Sequence, residues 1–214
     1  MSVPTTDLDT TPNVHDGSPL RDGARRYGLV SRVNHWVVGL VMLGMLGSGL
    51  ALEYLSIARE TSGAIMGWHK AVGVMVLIYG AWRVLWRLLE GFPEAASRMP
   101  AWQERTAAAT HWLLLAAVIL MPLSGLLMSL FGGRPVETFG FTIPSPGEIE
   151  WLSRLAGEVH GIAGLALVAL LVLHVGGALK HHFVDRDATL RRMLRGDTTK
   201  PGDATPRSAE PTRR

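Results

Sequence analysis

Four long runs of apolar residues dominate the sequence, at about 33–57, 64–89, 106–131 and 159–179, and polar residues fill the segments between them. Each run reaches the roughly 20 residues that an α-helix needs to cross about 30 Å of hydrocarbon. No alternation of apolar and polar residues, the pattern of a strand, competes with them. For a chain of 214 residues that is 48% hydrophobic, the pattern predicts an all-α fold, an integral membrane four-helix bundle.

The two ends of the chain differ from this apolar part. Residues 1–25 and 196–214 are polar and rich in Pro, Thr, Asp and Gly, which predicts disordered tails and no secretory signal. The expected organisation is therefore a disordered tail over 1–25, a four-helix membrane domain over 26–195 and a second disordered tail over 196–214.

Lysine and arginine are unequally divided between the two sides of such a bundle. If both tails and the segment joining the second and third runs share one side, that side carries 17 of the 21 Lys and Arg and 12 of the 18 acids. The other side keeps Arg59, Lys70, Arg134 and Arg154 against six glutamates. Because basic residues concentrate in cytoplasmic segments, we expect both termini to be cytoplasmic. This asymmetry accounts for the sequence pI of about 9.7 and requires no nucleic-acid partner.

Cysteine is absent from the chain. Its absence excludes iron–sulfur clusters, thiolate-ligated haem, covalently attached haem and disulfides, but not a haem held by histidine. Most of the tryptophans fall near the expected membrane interfaces, where indole rings settle, so anchoring is their expected role.

Histidines inside the apolar runs are the main candidates for chemistry. His160 and His174 are fourteen residues apart, close to four helical turns, so they share one helix face about 21 Å apart along its axis. His35 begins the first run at the inner end, and His69 begins the second at the outer end. Depth therefore pairs His35 with His174 inside and His69 with His160 outside. Two facing imidazoles are axial ligands that haem iron accepts in helical bundles.

A small residue stands one turn beyond each of these histidines on the same face, namely Gly39, Gly73, Gly164 and Ala178. A porphyrin is a broad plate, and it needs the helix beside its ligand to be free of bulk. The alternative explanation is close helix–helix packing, for which membrane proteins also use glycine. A single membrane histidine is explained by a polar contact between helices, whereas four that pair by depth favour a cofactor.

Two arginines follow in the second run. Arg83 comes fourteen residues after His69, so it lies on the same helix face near the inner pair. It either binds a haem propionate bidentately or snorkels to the inner headgroups. For Arg87, one turn later, snorkelling is favoured.

The other histidines fit iron ligation less well. His111 begins the third run, but the bulky Leu115 stands one turn on. A hydrogen bond near the inner surface, or contact with a propionate or a quinone, is expected instead. His181 and His182 end the fourth run among basic residues, which suits a helix C-terminus and the headgroups. His15 falls in the first tail.

These residues resemble the bacterial cytochrome b561 family over about residues 26–195. The segments that carry the resemblance are "RYGLVSRVNHW", "GWHKAVGVMVLIYGAWRVLWRL", "HWLLLAAVILMPLSGLLMS", "FGFTIP" and "EVHGIAGLALVALLVLHVGGALKHHFVDRDATLRRML". The resemblance implies a multi-pass protein of the bacterial inner membrane with two non-covalent haem b groups. Its ligands fall on His35, His69, His160 and His174.

The same resemblance implies an electron-transfer oxidoreductase that passes electrons between a donor and membrane ubiquinone. Members similar to superoxide oxidases would take electrons from superoxide at the outer haem. An outer surface of net charge −2 does not favour attraction of an anion, although Lys70 stands beside the outer ligand His69. A periplasmic or membrane redox protein is the other candidate donor.

Two alternatives stay open at this point. The cytochrome b561 family is similar to the b-type subunits that anchor a partner dehydrogenase or cytochrome in the membrane and receive its electrons. From a different class, a transporter or sensor would use the histidines for zinc or copper. Such a site usually adds carboxylates or thiols at a similar depth, whereas Glu53 and Glu158 lie at the ends of the spans.

Overall fold

The computed structural model of the chain describes residues 19–196 and is a bundle of long helices. They are α1 (Leu29–Tyr54), α2 (Arg59–Glu90), α3 (Ala101–Phe131) and α4 (Glu150–Phe183). Each of the four is long and apolar enough to cross a membrane. The prediction of an all-α bundle with four spans is therefore confirmed.

Two small elements were not predicted. A hairpin of β1 (Val136–Thr138) and β2 (Phe141–Ile143) follows α3, and a short helix α5 (Thr189–Arg195) follows α4. The strands are antiparallel and three residues long, too short to produce a visible alternation. The chain reverses between them at Gly140, whose φ of 97° favours glycine.

A cluster of buried apolar side chains lies at mid-depth in the bundle, and the partly buried Tyr79 packs against it. The buried members of this cluster come from all four long helices: Val38, Met42, Val76, Ala117, Val118 and Leu167. Leu167 on α4 is 3% exposed and stands seven residues from both His160 and His174. An apolar layer therefore separates the inner and outer ends of the bundle.

Gly80 lets α2 approach α3 closely. A Cβ at this position would collide with the Val118 side chain and lie 3.3 Å from the Val118 carbonyl oxygen. Pro122 stands four residues after Val118 inside α3, and because proline has no N–H, that carbonyl lacks its usual helical donor. The close contact at Gly80 thus forms where the α3 backbone lacks one of its helical hydrogen bonds.

Residues 19–25 correct the predicted boundary of the first tail. The Asp22 carboxylate accepts hydrogen bonds from the Ser31 hydroxyl at 2.8 Å and the Gly28 amide at 2.7 Å. It also pairs with Arg87 at 2.9 Å, with both side chains at most 6% exposed. A disordered tail over all of 1–25 is therefore wrong at its C-terminal end, because Asp22 finds a partner 65 residues away. Residues 1–18 and 197–214 lie outside the described residues.

Arg87 does not snorkel as predicted. Its guanidinium donates to Asp22 and to the Gly91 carbonyl oxygen and lies over the rings of Tyr27 and Phe92, 5.4 Å and 5.0 Å from their centres. Burial raises the pKa of the Tyr27 hydroxyl, although the charge of Arg87 acts to lower it. Arg87 thus anchors the segment before α1 to the end of α2.

Candidate functional site

The four histidines predicted from spacing come together in two pairs. The ring centres of His35 and His174 are 5.9 Å apart, and those of His69 and His160 are 6.3 Å apart. A metal ion bound at about 2 Å from one nitrogen of each of two imidazoles separates their ring centres by about 6 Å. The structure thus brings together the pairs that depth predicts, at a separation that suits one metal atom between them.

The backbones are held apart where the histidines face each other. Among the described helices, close packing joins α1 to α2, α2 to α3, α3 to α4 and α4 to α5. Each histidine pair instead joins α4 to α1 or to α2, which are not among its closely packed neighbours. A planar group wider than a side chain needs this arrangement, in which ligands meet across a wide separation.

The predicted small residues leave room beside the histidines. Within residues 19–196, a Cβ at Gly39 would meet nothing within 4 Å. At Gly73 and Gly164 it would meet only the methyl groups of Met45 and Met121, at 3.6 and 3.7 Å. These glycines differ in this respect from Gly80. The explanation by close helix packing therefore does not apply to them, and the residues present fit a porphyrin.

Hydrogen bonds orient both imidazoles of the outer pair. His160 Nδ1 donates to the Met121 carbonyl oxygen at 2.9 Å and lies 3.2 Å from Ser124 Oγ. His69 Nδ1 lies 2.8 Å from Ser48 Oγ. For His160 the proton is therefore on Nδ1, and Nε2 is the nitrogen with a free electron pair for a metal.

Donors gather at the inner pair. Arg83 Nη2 lies 3.4 Å from His35 Nδ1. Asn34 is 4% exposed; its Oδ1 accepts from the Tyr79 hydroxyl, while its buried Nδ2 has no hydrogen-bond partner among the described residues. The Arg83 guanidinium beside the ligand is a bidentate donor that suits a carboxylate. Haem carries two such groups as propionates.

His111 comes closer to this end than sequence reasoning indicated. Its ring centre lies 5.5 Å from that of His174, and its ring stacks on Phe92 at 5.6 Å. His174 therefore has His35 and His111 as neighbours. Leu115, one turn beyond His111, is 6% exposed and part of the packed interior, so α3 lacks the room that Gly39 provides beside His35.

The end of α4 forms a separate polar network. His181 Nδ1 lies 2.7 Å from Asp187 Oδ2, and the Ser97 hydroxyl and the Thr189 amide donate to the same carboxylate, each at 2.8 Å. Burial acts to raise the pKa of Asp187, but the hydrogen bonds from Thr189, Ser97 and His181 outweigh it and lower the pKa. The predicted headgroup role of His181 is thus replaced by a bond that fastens the 91–100 connection to α4.

Lys70, the cation beside His69, is directed toward the hairpin. Its ammonium group lies 3.4 Å from Ser129 Oγ and 3.5 Å from the Pro135 carbonyl oxygen. It borders a cavity of about 460 Å³ that Trp68, Glu137, Thr138 and Phe139 also line. Glu137 is part of this lining, so the surroundings of Lys70 are mixed in charge.

Comparisons with known proteins agree with this geometry. The chain is 32% identical to cytochrome b561 homolog 2 of Escherichia coli K12 over 171 residues, 79% of this chain and 91% of the relative. It is 28% identical to cytochrome b562 of Cereibacter sphaeroides over 75% of this chain and 90% of the relative. It is also 22% identical to a Yersinia pestis protein described as "Probable superoxide oxidase CybB", over 79% of this chain and 96% of the relative.

The family model described as "Prokaryotic cytochrome b561" matches residues 26–196, which include all four long helices and both histidine pairs. The chain belongs to the prokaryotic cytochrome b561 family.

Proposed function

We propose that this chain carries electrons across the bilayer between an outer donor and ubiquinone, with two haem b groups bound by its histidines. His35 and His174 hold the inner haem, and His69 and His160 hold the outer one. This proposal builds on family membership, which makes the chain a haem b-binding, multi-pass electron-transfer protein of the bacterial inner membrane. We further propose that both termini are cytoplasmic.

The observation that carries the proposal is the pair of facing imidazoles at each end of the bundle, on helices whose backbones stay apart. When bound, haem supplies an iron that changes reversibly between two oxidation states. Two histidines would hold each iron, and such ligation disfavours oxygen binding. Arg83 would hold an inner propionate.

Iron binding by His35 would remove the contact between Arg83 and His35 and leave Arg83 available to bind a propionate. A guanidinium only donates hydrogen bonds, so in the contact between Arg83 and His35 the Nδ1 atom accepts and the ring proton is on Nε2. Iron on Nε2 needs that nitrogen without a proton. Arg83 therefore exchanges this contact for another acceptor, and a carboxylate beside the ring is a stronger one.

Superoxide is the donor that we favour, on the likeness to the Yersinia pestis protein. Two superoxide anions lose one electron each and leave as two oxygen molecules. Ubiquinone takes up the two electrons with two protons and becomes ubiquinol. Lys70 would attract the anion to the outer end, against the net charge of −2 on that side.

Two other functions are less well supported. A membrane-anchor role, with electrons from a partner dehydrogenase or cytochrome, fits the same histidine pairs, and the six outer glutamates suit a basic protein donor. A metal transporter fits less well. Within residues 19–196, the one group of three or more His, Asp and Glu that could share a metal is at the end of α4, and it includes no member of either histidine pair.

The reduced-minus-oxidised optical spectrum of the purified protein tests haem binding. We expect b-type bands and two haems per chain. Replacing His69 or His160 by alanine should remove the outer haem, and replacing His35 or His174 the inner one. Loss of a haem in His111→Ala, with both haems kept in His35→Ala, would show that the inner pairing is wrong.

A superoxide pulse at low ionic strength tests the donor. We expect rapid haem reduction in the wild type and slower reduction in Lys70→Glu, because steering of an anion depends on local positive charge and is screened by salt. Arg154→Glu is the control, since Arg154 is exposed and already paired with Glu150. Slow reduction that is unaffected by Lys70→Glu would exclude superoxide and leave a protein donor.

A further inference from the structure

The triplet Ser-Gly-Leu occurs twice in the chain, at 48–50 in α1 and at 124–126 in α3. In both helices it faces one imidazole of the outer pair. A Cβ at Gly49 would lie 3.4 Å from His69 Cε1, and a Cβ at Gly125 would lie 3.0 Å from His160 Cε1. The glycines therefore admit the rings, and the serines preceding them lie against Nδ1.

Both serine hydroxyls lie within hydrogen-bond distance of carbonyl oxygens of their own helices. Ser48 Oγ donates to the Met45 carbonyl oxygen at 2.9 Å. Ser124 Oγ donates to the carbonyl oxygens of Leu120 and Met121, at 2.7 and 3.0 Å. A hydroxyl has one proton to give. With that proton given to the helix carbonyl, each oxygen acts toward the neighbouring imidazole as an acceptor.

We propose that Ser48 and Ser124 are positioning residues that fix the outer histidines in the tautomer with the proton on Nδ1. His69 donates from Nδ1 to Ser48, which leaves the Nε2 electron pair free for iron. His160 donates from Nδ1 to Met121, supported by Ser124. This inference rests on the proposed haem ligation. It gives the two triplets the role of adjusting the reduction potential and the binding of the outer haem.

Substitution of the two serines should affect the outer haem to different extents. Ser48 Oγ is the hydrogen-bond partner of His69 Nδ1 in the described part of the chain. His160 Nδ1 keeps the Met121 carbonyl oxygen when Ser124 is lost. Groups that accept from a ligating histidine raise its basicity, and their loss typically weakens metal binding about 10–100-fold. A substitution at Ser48 should therefore have the larger effect.

The test is a redox titration and a haem-release measurement on the purified holoprotein. For Ser48→Ala we expect a more positive potential of the outer haem, because a less basic ligand stabilises the oxidised iron less. We also expect its binding to weaken about 10–100-fold, while the inner haem, in the same molecule, is unchanged. Ser124→Ala should shift the same potential less.

Three further variants separate tuning from folding. Ser48→Thr keeps the hydroxyl and should restore the wild-type potential. Ser48→Cys is similar in size but a weak acceptor, so it should behave like Ser48→Ala even if the alanine variant is poorly folded. Ser153→Ala is the control, because Ser153 also donates to a helix carbonyl at the outer end, that of Met128, at 2.9 Å.

Each outcome has a distinct meaning. Unchanged outer-haem potential and release in both Ser48→Ala and Ser48→Cys, with two haems in the wild type and one in His69→Ala, would overturn this inference alone. Equal loss of both haems in Ser48→Ala and Ser48→Cys would also overturn it, since the role would be structural. A wild-type protein without b-type bands would instead overturn the proposed function.

Discussion

Arg83 is a charged side chain in a membrane helix whose partner among the described residues is a neutral imidazole. Such a residue normally faces the protein interior and serves a function. Because a positive charge near a haem favours the reduced iron, Arg83→Leu should lower the inner-haem potential. A change of about 1–2 kcal/mol corresponds to tens of millivolts for one electron.

Arg83→Lys is the matched variant, since it keeps the charge but not the bidentate geometry, and it should shift the potential less. A redox titration that is the same in all three proteins would leave Arg83 without contact to a propionate.

Asp187 should make the contact between α4 and the 91–100 connection sensitive to acid. Its pKa is lowered from the ordinary value of 3.8, so its carboxylate contributes stability that is complete above that value and lost as the pH falls through the lowered pKa. Between pH 5 and pH 3, unfolding in detergent should be less pH-dependent for Asp187→Asn than for the wild type. The same pH dependence of unfolding in both proteins would show that the Asp187 carboxylate does not contribute this stability.

Spacing and depth predicted the residues of the histidine pairs, because a helix converts sequence distance directly into position along its axis. The partners of these residues were not predicted. Asp22 and Arg87 are 65 residues apart and meet only because α1 and α2 pack together. The buried Asn34 amide had no visible signal either. The repeated Ser-Gly-Leu triplet was a signal that sequence reasoning missed, because three residues are too short to stand out as a repeat.

At the scale of elements, the apolar runs are shorter than the corresponding helices. The fourth run starts at about 159, whereas α4 begins at Glu150. Hydropathy marks the part of a helix in hydrocarbon, but backbone hydrogen bonds continue into the polar interface. Pro100 immediately precedes α3 and Gly91, with φ of 69°, immediately follows α2, so these ends carried recognisable start and stop signals.

Replacement by a large side chain should have different effects at Gly39 in α1 and at Gly80 in α2. Gly80→Leu should lower the thermal stability of the bundle, because its side chain would collide with Val118 on α3. In the described part of the chain, Gly39→Leu meets no protein atom near its Cβ; it should keep the fold and reduce the content of the inner haem.

Thermal unfolding and haem content measured on both variants test this contrast. Gly39→Ala, which adds a single methyl group, should retain more haem than Gly39→Leu. Full haem content in Gly39→Leu would mean that the space beside His35 does not receive the porphyrin.

At the scale of the whole molecule, the charge distribution predicts its orientation. Because 17 of the 21 Lys and Arg lie on the side of the termini, a reporter that works only in the cytoplasm should be active when it is fused after Arg195. A reporter that works only in the periplasm should be active when it is fused within the α3–α4 connection, on the opposite side. The reverse result would exchange the inner and outer ends of the bundle.

The apolar layer around Leu167 has a consequence for energy conversion. Its buried members offer no ionisable group, and we expect an electron to cross from the outer to the inner end without a proton moving through that layer. In the proposed orientation, each crossing moves negative charge toward the negatively charged side of an energised membrane. Complete transfer of one charge against 100 mV requires about 2.3 kcal/mol. Turnover should therefore slow as the membrane voltage rises and recover when an ionophore collapses it.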